Sequence, residues 1–372
     1  MDSRERIEAA ITLRTSDRVP VVPDFDSFPA RHSGITQREL LFDMRKAEAA
    51  LEAAWRDFGF DGHHLFLGGS GPFVTVGMPM KVRLPGRDGA ADDEPMQAME
   101  EEQEGPEVYG EIRRRGFTRV YARAVRRATP ELASPLTALP YGASFLRYVL
   151  GFRRHITRWE KRGVPCLGGT PPNVLPFDVL SGTRSLVPFS KDLRSRPEEI
   201  LAAIPRVTAF CARMMVGGVR AFGSRYCFIG SARTSATFIS PADFERFVLP
   251  SLLEVTGRVL ASGAIPFFHF DSDYTPMLEY FRHLPRGRCV LNLDESTDIF
   301  RAKEVLGDHV CLMGNVPASL FTLGTPEQMG EYCERLIREV GTGGGFILSS
   351  SCSVPPESKP ENVHAMIDSV KH

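Results

Sequence analysis

This chain of 372 residues has no long basic run or stripe, and its formal net charge is -1 at pH 7. A nucleic-acid partner requires a concentrated positive face, so that class is excluded and a small-molecule substrate is expected. No uninterrupted apolar segment reaches the roughly 18 residues of a membrane span, and the N-terminal stretch Met1-Asp-Ser-Arg-Glu-Arg-Ile7 has no apolar h-region. A cytoplasmic protein without a membrane partner is therefore expected. There is no CxxC pair among the seven cysteines (166, 211, 227, 289, 311, 333 and 352), so the default is buried free thiols. Only Cys352 stands in a polar, loop-like context. No Gly-x-Gly-x-x-Gly follows the early strands and no Walker loop is present; Gly341-Thr-Gly-Gly-Gly345 precedes a strand, which makes it a helix stop rather than a phosphate cradle.

What the chain does have is rhythm. Residues 2–14 read as an amphipathic helix with the capping-box pair Asp2 and Glu5, followed by the strand Val19-Pro-Val-Val-Pro-Asp-Phe25 and a polar loop through His32. If that strand opens a barrel, Asp24, Asp26 and Arg31 lie near its rim, although a solvated loop with local ion pairs is the simpler account of any one of them. Residues 37–58 have helical periodicity, and the stretch from Phe58 to Leu67 reads as a turn entering a strand. Its neighbours His63 and His64 would point to opposite faces and could not readily ligate one ion together. The acidic stretch from Gly86 to Gln103 is expected to be an exposed excursion, and residues 108–162, mixed and partly helical, a lid or an added layer.

From about residue 164, short apolar strands alternate with longer helical segments: Val164–Leu167, Tyr226–Ile229, Ile265–Phe268, Cys289–Leu293, Val310–Met313 and Gly345–Leu348. Proline-bearing caps at Ser195, Ser240, Thr325 and Ser358 mark expected helix starts. Alternation of this kind predicts βα units around a parallel sheet. The length exceeds the roughly 250 residues of a minimal (β/α)8 barrel, so one barrel domain with added segments, including an insertion around residues 87–160, is expected.

The chemistry concentrates at strand ends. In Ile265-Pro-Phe-Phe-His-Phe-Asp-Ser-Asp273 an apolar run stops at a histidine and two carboxylates, and Gly343-Gly-Gly-Phe-Ile-Leu-Ser-Ser-Ser-Cys352 ends in small polar residues and a thiol. His269 and Asp271 share a side of an extended strand, and Cys352 would arrive from a later one. Nitrogen, oxygen and sulfur donors from three positions suit zinc and leave one coordination site open. Glu295, directly after another strand, could take a fourth position. The same residues also fit a core histidine held by Asp271 or Asp273, with Cys352 as small buried filler.

Several stretches are similar to the uroporphyrinogen decarboxylase superfamily: Arg4-Glu-Arg-Ile-Glu-Ala-Ala-Ile11 with Asp17-Arg-Val-Pro-Val21, Phe238-Ile-Ser-Pro-Ala-Asp-Phe-Glu-Arg-Phe-Val-Leu-Pro250, His269-Phe-Asp271, Gly314-Asn-Val-Pro317, and Gly344 to Cys352 with Pro360 to Met366. The resemblance implies an α/β (β/α)8 TIM barrel with N-terminal helical additions, and is weakest over the acidic excursion and residues 108–162. It also implies one of two chemistries. The porphyrinogen decarboxylases of that superfamily carry Arg-Gln-Ala-Gly-Arg to hold a many-carboxylate substrate; here Phe28-Pro-Ala-Arg-His-Ser-Gly34 offers Arg31 alone, which disfavours decarboxylation.

The corrinoid-linked methyltransferases instead use zinc on His-x-Cys and a distant Cys. His269 and Cys352 match the outer positions, and Asp271 stands where the middle cysteine would be. A carboxylate makes the ion a harder Lewis acid, so the resemblance implies an ether-like O-methyl donor whose methyl group passes to the cobalt of cobalamin on a partner corrinoid protein. Phe177 and Tyr274 would wall the pocket, while Asp26, Arg31, Arg233 and Asn315 would contact polar groups of the substrate. A tetrapyrrole decarboxylase, or a non-catalytic barrel that binds a corrinoid or tetrapyrrole, are the alternatives, and a homodimer is left open.

Overall fold

The computed structural model describes residues 1–77 and 80–371. Its parallel strands are β1 (His63–Leu65), β4 (Cys166–Gly168), β5 (Tyr226–Ser231), β6 (Ile265–Phe270), β7 (Val290–Leu293), β8 (Cys311–Val316) and β9 (Phe346–Ser350); a small antiparallel pair joins β2 (Val82–Arg83), just before the acidic excursion, to β3 (Gln97–Ala98) within it. Strands β5 to β9 form a continuous parallel sheet in sequence order. Beyond β9 the proline-interrupted segment 20–24 closes the ring. Val22 N–H donates to Leu348 O, Leu348 N–H donates to Pro20 O, and Asp61 N–H donates to Val21 O on the approach to β1. Pro20 and Pro23 have no N–H to give, which is why this stave is held by isolated bonds rather than a full ladder. β1 pairs with β4 in the register His63 to Cys166, and Val174 bridges to Gly230 on β5. Among the described residues this makes eight staves, and the fold is a (β/α)8 barrel.

The predicted strands therefore form where apolar runs occur, since a parallel strand is buried on both faces. β6 and β7 are buried almost throughout. Inside the barrel, Val22, Leu167, Phe228, Phe267, Val290, Met313 and Ile347 pack together as a separate apolar cluster. Gly168 is required where β1 and β4 approach, because a Cβ there would meet His64 O at 2.4 Å.

The helix starts agree only in part with the caps read from sequence. Asp2 and Glu5 form the capping box of Ser3–Ile11, and Ser240 and Thr325 cap the helices they precede. Ser195 and Ser358 do not: the helices start at Pro197 and Pro360, with Arg196 and Lys359 at the cap positions. Lys359, directly before Pro360, takes the extended cap conformation and leaves Ser358 one position too early, whereas Ser195 is the last residue of the preceding helix, Leu186–Ser195. The periodic stretch 37–58 breaks at Asp43, which caps Met44–Phe58 by accepting from the N–H groups of Arg45 and Lys46.

Residues 108–161 form the helices Val108–Arg115, Thr118–Ala128 and Pro135–Lys161, which pack beside the long helix Pro197–Phe222. That last helix is long and apolar enough by composition to cross a membrane, and half of its most apolar window is buried inside the fold.

Candidate metal and substrate site

The C-terminal ends of the strands gather the polar residues that the apolar staves cannot bury elsewhere. His269, on β6, brings its Nε2 to 3.7 Å from Cys352 Sγ and 3.2 Å from Asp271 Oδ1. Two donors bound at about 2.0 and 2.3 Å to one tetrahedral ion stand roughly 3.6 Å apart, so the His269–Cys352 spacing, a hydrogen bond in this structure, also fits a shared ion. Asp24, on the closing stave, completes the group: one ligand atom each from Asp24, His269 and Cys352 lie within 4.8 Å of one another. Asp24 Oδ1 is buried without a hydrogen-bond partner, although His64 Nδ1 stands 3.1 Å away. A buried carboxylate oxygen left in that state is costly, and a cation among these nitrogen, oxygen and sulfur donors would satisfy it. The donor set fits zinc.

Asn292 on β7 orients the histidines. Its Nδ2 donates to Met313 O at 3.3 Å, which turns Oδ1 toward the two rings. Oδ1 then accepts from His269 Nδ1 and, at 3.2 Å, from His64 Nε2. With the Nδ1 proton held by Asn292, His269 would present the lone pair of Nε2 to an ion that displaced the Nε2 proton. His64 packs edge-on against Phe267 and His269, inside the barrel, while His63 faces outward to His155 and Trp159. The alternation of side chains along a strand thus separates the two neighbours, as their adjacency predicts.

Charge is strongly coupled here. Burial opposes a charged His269, but the hydrogen bonds and charges of Asp271 and Cys352 outweigh it and raise the imidazole well above its ordinary value. Burial raises the Cys352 thiol, offset in part by His269. Asp24 is held below the usual carboxylate range because His64 outweighs its burial. Asp26, which accepts from Ser353 Oγ at 2.8 Å and Ser27 Oγ at 2.8 Å, is pushed up to about 7 by burial and by neighbouring Asp24.

A cavity of about 610 Å³ opens onto His269 and Asp271. Its walls are mainly apolar, with Phe66, Phe145, Tyr148 and Phe152 on one side and Phe228 toward the barrel. Arg233 enters it from the loop after β5, where Nη1 donates to Ser181 Oγ at 3.0 Å and Nη2 pairs with Glu100. Asp178 holds that loop: its carboxylate accepts from Ser231 Oγ and from the N–H groups of Ala232 and Arg233. The acidic excursion is largely exposed, yet it returns to the cavity, lending Met96 and Gln103 to its wall.

Other candidates stand elsewhere. Phe177 is buried in the core against Phe189, and Tyr274 is fully buried with its hydroxyl 2.8 Å from Thr234 Oγ1; neither reaches the cavity, because both aromatic rings find better burial behind the wall. Asn315 is also structural: it donates to Thr297 O and accepts from Tyr332. Arg31 lies at the surface, 3.5 Å from Glu357. Glu295 is exposed and accepts from Ser351 Oγ and Ala318 N–H, each at 3.0 Å, so its carboxylate is engaged outside the donor group. Sequence reading placed Asp24 only near the rim and passed over Asn292, whose amide inside the apolar run Leu291-Asn-Leu293 was the available signal.

A (β/α)8 barrel with a donor cluster on its C-terminal rim defines a class of enzyme-like scaffold. Within it, residues 136–372 match the family model for uroporphyrinogen decarboxylase (URO-D), and the chain belongs to that family. It is 27% identical over 246 residues to a uroporphyrinogen decarboxylase of Hahella chejuensis, a match spanning 62% of this chain and 65% of that protein. To the enzyme of the same name from Syntrophotalea carbinolica it is 30% identical over 132 residues, 36% of this chain and 37% of the relative. These matches cover less than two thirds of the relatives' own length. Among solved structures, a methyltransferase from Methanosarcina mazei superposes with a TM-score of 0.68 at 17% identity, covering 100% of this chain and 98% of that one; this is a likeness of fold.

Proposed function

We propose that this chain is a zinc-dependent methyltransferase that moves a methyl group from a small O-methyl donor to the cobalt of a corrinoid carried by a partner protein. The observation that carries the reading is the 3.7 Å approach of His269 Nε2 to Cys352 Sγ, with Asp24 beside them, His269 itself lining the apolar cavity. Zinc bound there would supply Lewis acidity toward the donor oxygen.

The chain's own residues do the rest. Asn292 fixes His269 with Nε2 toward the donor group. Asp24, His269 and Cys352 would hold the ion, and Asp271, half-exposed on the cavity side, supplies a further carboxylate next to His269. An aspartate in place of a second thiolate hardens the site, which favours an oxygen leaving group over a thiol acceptor. The aromatic walls take an apolar or aromatic body, and Arg233 faces its polar substituent. The helices of residues 108–161 act as a lid by contributing Phe145, Tyr148 and Phe152.

The test is consumption of cob(I)alamin absorbance on addition of methoxylated aromatics to the zinc-loaded protein. Turnover that is lost in His269→Ala and Cys352→Ala is expected; no turnover with any donor in zinc-replete protein overturns the reading. Asp24→Asn and Asp271→Asn separate the two carboxylates, because only a ligand's loss lowers zinc content.

The names of the sequence relatives favour a second reading, decarboxylation of a porphyrinogen. An eight-carboxylate substrate needs many cations, whereas the cavity wall carries Arg213 and Arg233, and Arg31 pairs with Glu357 at the surface. Carbon dioxide release from a porphyrinogen by metal-free protein would establish this second reading.

A further inference from the structure

On the outer face of the barrel, behind the cavity wall formed by Phe66 and Phe152, His63 of β1, Cys166 of β4 and His155 of the helix Pro135–Lys161 bring one ligand atom each within 4.8 Å of one another. We propose that these three residues form a second metal site that takes a thiophilic closed-shell ion, zinc(II) or copper(I), and pins the insertion helix to the barrel.

Three observations carry the assignment. First, the buried nitrogens are orphaned: neither His63 Nδ1 nor Nε2 has a hydrogen-bond partner, and His155 Nε2 has none. An imidazole has a donor and an acceptor to satisfy, and a buried polar group left alone is costly. An ion bound by one nitrogen of each ring would satisfy two of these three nitrogens, with the Cys166 sulfur turning to it from His64 O.

Second, the ring of His155 is already set as a ligand. Its Nδ1 stands 2.5 Å from Glu48 Oε1, and Arg158 holds the other Glu48 oxygen at 2.8 Å. A carboxylate on one imidazole nitrogen fixes the tautomer that leaves the other free for a metal, as outer partners of ligating histidines do. For zinc(II), which one thiolate does not neutralise, Glu48 would also supply negative charge nearby, shared with Arg158; copper(I) would be neutralised by the thiolate alone.

Third, the surroundings select the ion. Phe66 stacks on His155 with ring centroids 3.8 Å apart, and Trp159 lies edge-on to His63 at 5.4 Å. His63, His155 and Cys166 are all buried. Two imidazoles and a thiolate in an apolar shell suit zinc(II) or copper(I) and disfavour calcium or magnesium, which require several oxygens. Reaching metal–ligand distances of about 2.0–2.3 Å requires each side chain to move by less than about 1 Å. The consequence is mechanical: the helix that carries His155 also carries Phe145, Tyr148 and Phe152 of the cavity wall, so the ion would fix that wall.

The test counts metal in the full-length protein by elemental analysis, which also distinguishes zinc from copper. Wild type is expected to hold two ions per chain, His269→Ala/Cys352→Ala one, and the same variant with Cys166→Ala none. Cys166→Ala removes only a small side chain; His155→Gln serves as the second variant, and far-UV circular dichroism with a cooperative melt shows that each is folded. In wild type, a chelator should strip the ion at His269 at least about tenfold faster than the buried one. A single ion that survives His269→Ala/Cys352→Ala and is lost with Cys166→Ala would uphold this site while removing the proposed catalytic one. A folded His269→Ala/Cys352→Ala protein without metal, or one whose metal ignores both Cys166→Ala and His155→Gln, overturns the proposal.

Discussion

Asn292→Leu is the most revealing single substitution at the rim. Leucine keeps the branched outline of asparagine with bulkier ends, while the carbonyl acceptor shared by His269 and His64 and the donor to Met313 O are removed. Two imidazole N–H groups then face an apolar side chain. At about 1–3 kcal/mol for each stranded donor, folding stability should fall by about 2–4 kcal/mol once partial rearrangement is allowed for. Metal affinity should suffer separately. Without the acceptor on Nδ1, His269 can carry its proton on Nε2, the atom aimed at Cys352. Loss of an outer partner of this kind weakens metal binding by about 10–100-fold, or about 1.4–2.7 kcal/mol. Urea unfolding measures the first effect, and competition with a chelating dye, in a Cys166→Ala background so that only the rim site is read, measures the second. A zinc affinity within about twofold of the parent, in a protein destabilised as expected, would refute the claim that Asn292 prepares His269 as a ligand.

Three further outcomes follow from the geometry. Gly168→Ala places a methyl group 2.4 Å from His64 O, a backbone atom that cannot swing aside, so unfolding free energy should drop by about 1–3 kcal/mol in urea titration. Asp178→Ala strands the Ala232 and Arg233 N–H groups and should cost about 2 kcal/mol while raising KM for a substrate that meets Arg233. Glu100 is held below the usual carboxylate range: burial pushes it up, but the Leu186 N–H, Ser185 and Arg233 outweigh that. A lowered folded value means the stabilisation is present above the unfolded carboxylate range and is lost as pH falls through the folded value. The wild type should therefore lose stability relative to Glu100→Gln below about pH 4.5. The effect is under about 1 kcal/mol because the pair is half-exposed, and equal pH slopes for the two proteins would contradict it.

The barrel was legible because its staves are short apolar runs between helical segments, and a parallel strand buried on both faces has no other composition available. His269 and Cys352 were legible for the same reason, as polar residues at the ends of such runs. Asp24 was harder to read, since Pro20 and Pro23 disguise the closing stave and its place depends on β9, at the other end of the chain. Phe177 and Tyr274 misled because aromatic content does not say which side of a wall a ring occupies. The pairing of Glu100 with Arg233, and of Glu104 with Arg123 and Arg127, lies between segments whose approach only the fold decides.

The central claim is that His269 and Cys352 share one ion. Cobalt(II) titration of the Cys166→Ala protein tests it most directly, because a thiolate bound to cobalt gives a charge-transfer band that an imidazole or carboxylate does not. The band should saturate at one equivalent per chain and vanish in Cys166→Ala/Cys352→Ala. Absence of the band in Cys166→Ala, or its persistence once Cys352 is also replaced, would contradict the account.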